Sequence, residues 1–115
     1  MQAKVSRWSD LPVDAPMALL ERRRVIGEKS MVSHITLKKG FFLQSHSHEN
    51  EQVSCVLSGK LKFGLKGGDA VIGPGEVILL PSNLPHSAEA LEDTVVLDIF
   101  SPPSAGTGID QKRPH

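Results

Sequence analysis

The chain has no tyrosine, one tryptophan and one cysteine, and aromatic residues make up 4% of its 115 positions. A lone cysteine, Cys55, excludes an intramolecular disulfide, and a cytoplasmic location is the expectation that goes with it. No apolar run approaches the ~20 residues of a membrane-spanning helix. The opening stretch, Met1 to Trp8, lacks the hydrophobic region of a signal peptide. Net charge is missing too: 13 basic residues balance 13 acidic ones. That balance gives no electrostatic reason to expect nucleic acid or an anionic membrane as partner. The local run Arg22-Arg23-Arg24, beside Glu21 and Glu28, is expected to be a solvated strand edge. Sustained 3.6-residue periodicity is also absent, which argues against a helical domain. The scarcity of aromatics points to a small aliphatic core.

What the chain does have is short strands. Residues 22–37 read as one or two strands closed by Lys38-Lys39-Gly40. Further runs follow at Gln52–Leu57, Lys60–Leu65, Asp69–Ile72, Glu76–Leu80, His86–Leu91 and Thr94–Phe100, separated by Gly-, Pro- and Asp-containing turns. A helical turn is possible near Ser9–Pro12. Many short strands with such punctuation argue for a sandwich or a barrel. A chain of this size is expected to build one core. We place a single domain over 1–100, with its barrel core at about 30–100, and a flexible tail over 101–115.

Histidine supplies the chemistry. Alternation sends residues i and i+2 of a strand to one face, so His46 and His48 should point the same way, ~6–7 Å apart at their origins. That spacing lets both reach one ion through bonds of ~2.0–2.2 Å. Gln52 lies across the polar Glu49-Asn50-Glu51 turn and can return to the same side from the next strand. His86 arrives from a later strand. The alternative is that these histidines are surface or core residues with no ligand role. Cys55 is one residue off the parity of Gln52, so it should face away and serve packing. Val53, Leu57, Val95, Leu97 and Ile99 share its outward face. They are too apolar for open water and are expected to pack a second sheet or a partner subunit.

The spacing of these residues resembles the two signature motifs of the cupin superfamily, small β-barrels that hold a metal inside. The match starts at Gly40, runs through His46, His48, Gln52 and Gly59, and resumes at Gly75, Pro81 and His86. Gln52 stands where Glu is common, Asn83 where a Gly often follows the second-motif Pro, and Ala90 where an Asn often closes that motif. Asn tolerates the left-handed backbone that a Gly would supply. The resemblance implies an all-β double-stranded β-helix, the jelly-roll cupin barrel, and a homodimer.

Three neutral imidazoles and a neutral carboxamide leave the charge of a divalent ion uncompensated, so the site should attract a small anion. The set suits nickel, iron, manganese, cobalt or zinc. The alternative is a metal that only braces the barrel. One carboxylate stands out on the last strand: Asp98 shares a face with Val96 and Phe100. It is either positioned for function or a structural partner that caps a turn or pairs with an arginine. Arg7-Trp8-Ser9-Asp10, Leu84-Pro85-His86-Ser87-Ala88 and Leu97-Asp98-Ile99-Phe100-Ser101-Pro102-Pro103 resemble the cupin family of pectin and alginate breakdown, which linearises unsaturated uronates. That resemblance implies Asp98 as general acid/base, Phe100 as a pocket wall, and a sugar-acid ligand. An Arg that follows the Ser-Pro-Pro stretch in that family is Ser104 here, and Arg113 is the guanidinium further along the tail. A non-catalytic, metal-bearing small-anion module and a metal-dependent dioxygenase are the competing expectations.

Overall fold

Period-two alternation of burial organises the molecule. The computed structural model describes residues 2–103. Among them a short 3-10 turn, Trp8–Asp10, precedes nine strands: β1 Leu20–Ile26, β2 Met31–Leu37, β3 Phe42–His46, β4 Glu51–Ser58, β5 Leu61–Gly64, β6 Ala70–Ile72, β7 Val77–Leu80, β8 His86–Ala90 and β9 Thr94–Ser101. They form a five-stranded sheet, β1-β2-β9-β4-β7, and a four-stranded sheet, β3-β8-β5-β6. Every pairing is antiparallel. In β2, Met31, Ser33, Ile35 and Leu37 are buried while Val32, His34 and Thr36 are half-buried, and β9 repeats the pattern from Thr94 to Phe100. The inward faces of the two sheets enclose the core, the arrangement of a jelly-roll barrel. Among the described residues no helix is long and apolar enough to cross a membrane.

Several expectations need correction. The core is not purely aliphatic: Phe41, Phe63 and Phe100 are all buried, and only Phe42 of the phenylalanines is exposed. The basic run is not wholly solvated. Parity turns Arg22 inward, where it is 4% exposed and grips Asp14 through Nε–Oδ1 at 2.9 Å and Nη2–Oδ2 at 3.0 Å. The two residues also exchange backbone hydrogen bonds, so the segment before β1 is tied to its edge. The Arg22 hydrogen bond holds the Asp14 carboxyl below its usual value. The tail does not start at 101, because Ser101 completes β9 and its hydroxyl donates to the Lys29 carbonyl at 2.9 Å. Ser104 and Arg113 lie outside the described residues, as does the tail expectation over 104–115.

Candidate metal centre

His46 ends β3 and His86 begins β8, and the two stand opposite each other in the ladder between those strands. The register shifts between Leu43 and His46, so β3 is irregular just before the site. His48 corrects the strand-parity expectation: β3 has already ended, and His48 sits in the turn leading to β4. That turn is clamped from the other side. Asn83, in the left-handed conformation at φ 65°, donates its backbone N–H to the His48 carbonyl at 2.8 Å. The turn still delivers the ring to the same place. Ring centroids are 5.5 Å apart for His46–His48, 4.5 Å for His46–His86 and 5.2 Å for His48–His86. One ring nitrogen from each of the three lies within 4.8 Å of the others.

Backbone carbonyls decide which nitrogen faces inward. His46 Nδ1 donates to Gln44 O at 2.8 Å, His48 Nδ1 to Asn50 O at 3.0 Å and His86 Nδ1 to Leu84 O at 2.9 Å. A carbonyl can only accept, so the hydrogen of each neutral ring is on Nδ1 and each Nε2 keeps a lone pair. Burial pushes the His46 and His86 rings below their ordinary pKa, His86 to about 4, which favours the neutral, ligating form. Gln52, at the start of β4, places Oε1 3.2 Å from His48 Nε2. Two lone pairs then face each other in a buried space. A metal ion that takes both lone pairs relieves that arrangement, so the donor set fits a metal ion.

Asp98 and Phe100 project from β9 to the same side, and Phe100 is paired in register with Gln52. The His48 and Phe100 rings meet edge to face at 6.0 Å between centroids. A cavity of about 30 Å³ is bordered by His46, Gln52, His86, Asp98 and Phe100, with Phe63 among its apolar walls. Asp98 is 7% exposed, and its Oδ1 accepts a 2.6 Å hydrogen bond from the Ser54 hydroxyl. Burial raises the Asp98 carboxyl from 3.8 to about 6, and the Ser54 hydrogen bond only partly offsets this. Asp98 is thus a buried carboxyl on the inner face of β9, held by a serine hydroxyl. Cys55 is on the outer face as expected, opposite Leu97 and Val77.

The sequence reading missed two residues. Ser54 is completely buried and accepts from Gln52 Nε2 at 3.0 Å. Its parity with Gln52 was a usable signal. Asn50 is also completely buried, orients His48 through its carbonyl and donates its side chain to the Pro102 carbonyl. No pattern in the sequence marks a turn residue for burial.

The family model described as Cupin domain matches residues 33–100. The chain belongs to the cupin family. Its barrel is similar to an RmlC-like cupin from Shewanella frigidimarina, with a TM-score of 0.82 and 23% identity over 89% of this chain and 93% of that one. KdgF from Halomonas sp. gives a TM-score of 0.83 and 24% identity over 90% and 96%. The polyketide cyclase RemF from Streptomyces resistomycificus gives 0.74 and 20% over 88% and 80%. At these identities the likeness is one of fold. No curated protein sequence matches the chain. For a cupin, three histidines that can share one ion inside the barrel are the expected place for a metal.

Proposed function

We propose that this cupin holds one divalent transition ion on His46, His48, Gln52 and His86 and acts on a small sugar acid of the unsaturated uronate class. The observation that carries the reading is Asp98, a buried carboxyl that borders the same cavity as His46, Gln52 and His86 and titrates at about 6. A group with that pKa both gives and takes protons near neutrality. When bound, the ion supplies Lewis-acid polarisation of a substrate oxygen. Removal of the anomeric hydroxyl proton breaks the bond between the anomeric carbon and the ring oxygen and leaves an aldehyde and an enolate, and return of the proton to the enolate carbon gives the ketone. Asp98 serves both transfers, first as base and then as acid. Ser54 holds the carboxyl in place through Oδ1, and Phe100 supplies a flat apolar wall. The likeness to KdgF in fold agrees with this reading and does not by itself carry it.

A second reading is favoured by the size of the cavity. About 30 Å³ admits an ion with a water molecule or a small anion, since one water needs ~10–15 Å³. A sugar acid would have to bind at the mouth, beside half-buried His46. On that reading the protein is a small-anion module without turnover.

The test follows loss of the unsaturated uronate chromophore by the fully metallated protein, on products derived from pectin and from alginate. Asp98→Asn is expected to slow turnover ~10²–10⁴-fold while keeping the metal. His48→Ala is expected to lower metal content at least ~10-fold. Absence of turnover by metallated wild type would reject the enzyme reading in favour of anion binding.

A further inference from the structure

Gln52 stands at a position where the liganding atom must be an oxygen, yet a carboxamide has one oxygen end and one nitrogen end. The wrong end would turn an N–H toward the three imidazole lone pairs. Something must hold the amide the right way round. The contacts behind it do so in a chain. Ser54 has one hydroxyl proton. It donates that proton to Asp98 Oδ1 across 2.6 Å, the length of a charge-assisted bond. With its proton committed, Ser54 Oγ has only lone pairs left, and it can only accept. Gln52 presents Nε2 to it at 3.0 Å, and Oε1 is thereby sent toward His48 Nε2. Gln52, Ser54 and Asp98 are all buried, so bulk water does not stand in for any of them. Ser54 and Asp98 are also cross-strand partners in the ladder between β4 and β9, which fixes their approach.

We propose that Ser54 is a positioning residue that makes position 52 an oxygen ligand: it passes the acceptor character of Asp98 on to Gln52 as a fixed hydrogen-bond direction. The inference rests on the metal site of the proposed function. It explains why an amide suits this chain where many cupins carry Glu. A carboxylate at 52 would meet the Ser54 lone pair, or compete with Asp98 for a single proton.

The experiment measures affinity of the metal-free protein for Ni²⁺ and Co²⁺ by competition with a chromophoric chelator, together with the Co²⁺ absorption spectrum. Ser54→Ala should weaken binding ~10–100-fold, the usual effect of losing a residue that orients a ligand, and should alter the Co²⁺ spectrum. Ser54→Thr, which keeps the hydroxyl, should restore affinity to within ~3-fold. Thermal unfolding of the metal-free variants separates misfolding from ligand orientation. The decisive arm is the Gln52→Glu background, where both ends of the side chain are oxygens and there is no orientation to lose. Ser54→Ala should there cost less than ~3-fold. An equal loss in both backgrounds, or wild-type affinity and spectrum in Ser54→Ala, overturns the proposal. If His48→Ala binds as tightly as wild type, the metal site itself is wrong, a failure distinct from that of Ser54.

Discussion

Asp98 shows what one buried charge does to a small protein. Its carboxyl titrates at about 6 in the folded chain against 3.8 for the free group. Between those values the folded state holds a proton that the unfolded state has released, so this group makes stability fall as pH rises through the window. Above it, the ionised carboxylate costs on the order of 3 kcal/mol in the metal-free protein, at ~1.4 kcal/mol per pKa unit. His86 acts in the opposite sense. Its ring stays neutral down to about 4, whereas an unfolded ring takes a proton at 6.5, so that contribution is lost as pH falls. Comparing wild type with Asp98→Asn in chelator cancels the histidines. The variant should be the more stable by up to ~3 kcal/mol near neutrality, and its advantage should vanish at acid pH, where the wild-type carboxyl is protonated. Urea unfolding across that range gives the difference directly. A gap that does not change with pH would mean that the carboxyl is solvated.

At the scale of elements, the turn between β4 and β5 depends on Gly59. Its φ is +88°, and a Cβ there would lie 2.2 Å from the Asp93 carbonyl oxygen and 2.5 Å from Thr94 Oγ1. Gly67 has a similar φ of +96° but open space around it. Gly67→Ala should therefore cost only the ~1–2 kcal/mol of a left-handed residue, and Gly59→Ala clearly more. Equal denaturation midpoints for the two variants would show that the backbone near Asp93 yields freely. The same contrast between local pattern and tertiary contact explains which elements were legible in advance. β4 and β9 alternate cleanly, so the inward setting of Gln52, Asp98 and Phe100 and the outward setting of Cys55 followed from parity. β3 does not alternate, its register shifts, and His48 reaches the site from a turn; the shared face was foreseen but not the route. The pairing of Arg22 with Asp14 was illegible because Asp14 belongs to no strand. A low count of phenylalanines likewise said nothing about where they pack.

At the scale of the whole molecule, the outer face of the five-stranded sheet is apolar, and among the described residues it is half-buried at its centre and exposed toward β7. One registered row runs Val25, Val32, Ile99, Val53, Leu79 through all five strands. The next row carries Leu97, Cys55 and Val77 beside Arg23 and His34. Trp8 shields one end by packing on His34 at 5.3 Å between ring centroids, while at the other end Val77 is 60% and Leu79 57% exposed. An antiparallel sheet that faces water on one side is normally polar there, and a continuous apolar patch marks a contact surface. We propose that a second copy of the chain packs on this face as an isologous dimer. Light scattering should then give twice the 12.5 kDa chain mass. Leu79→Glu, near the exposed end and pointing away from the barrel, should shift the population to monomer. Metal content is the control, because Gln52 and Asp98 lie on the opposite face of the same sheet. A monomer that retains its metal would show that assembly and the ion site occupy separate faces, whereas monomeric wild type at micromolar concentration would overturn the dimer.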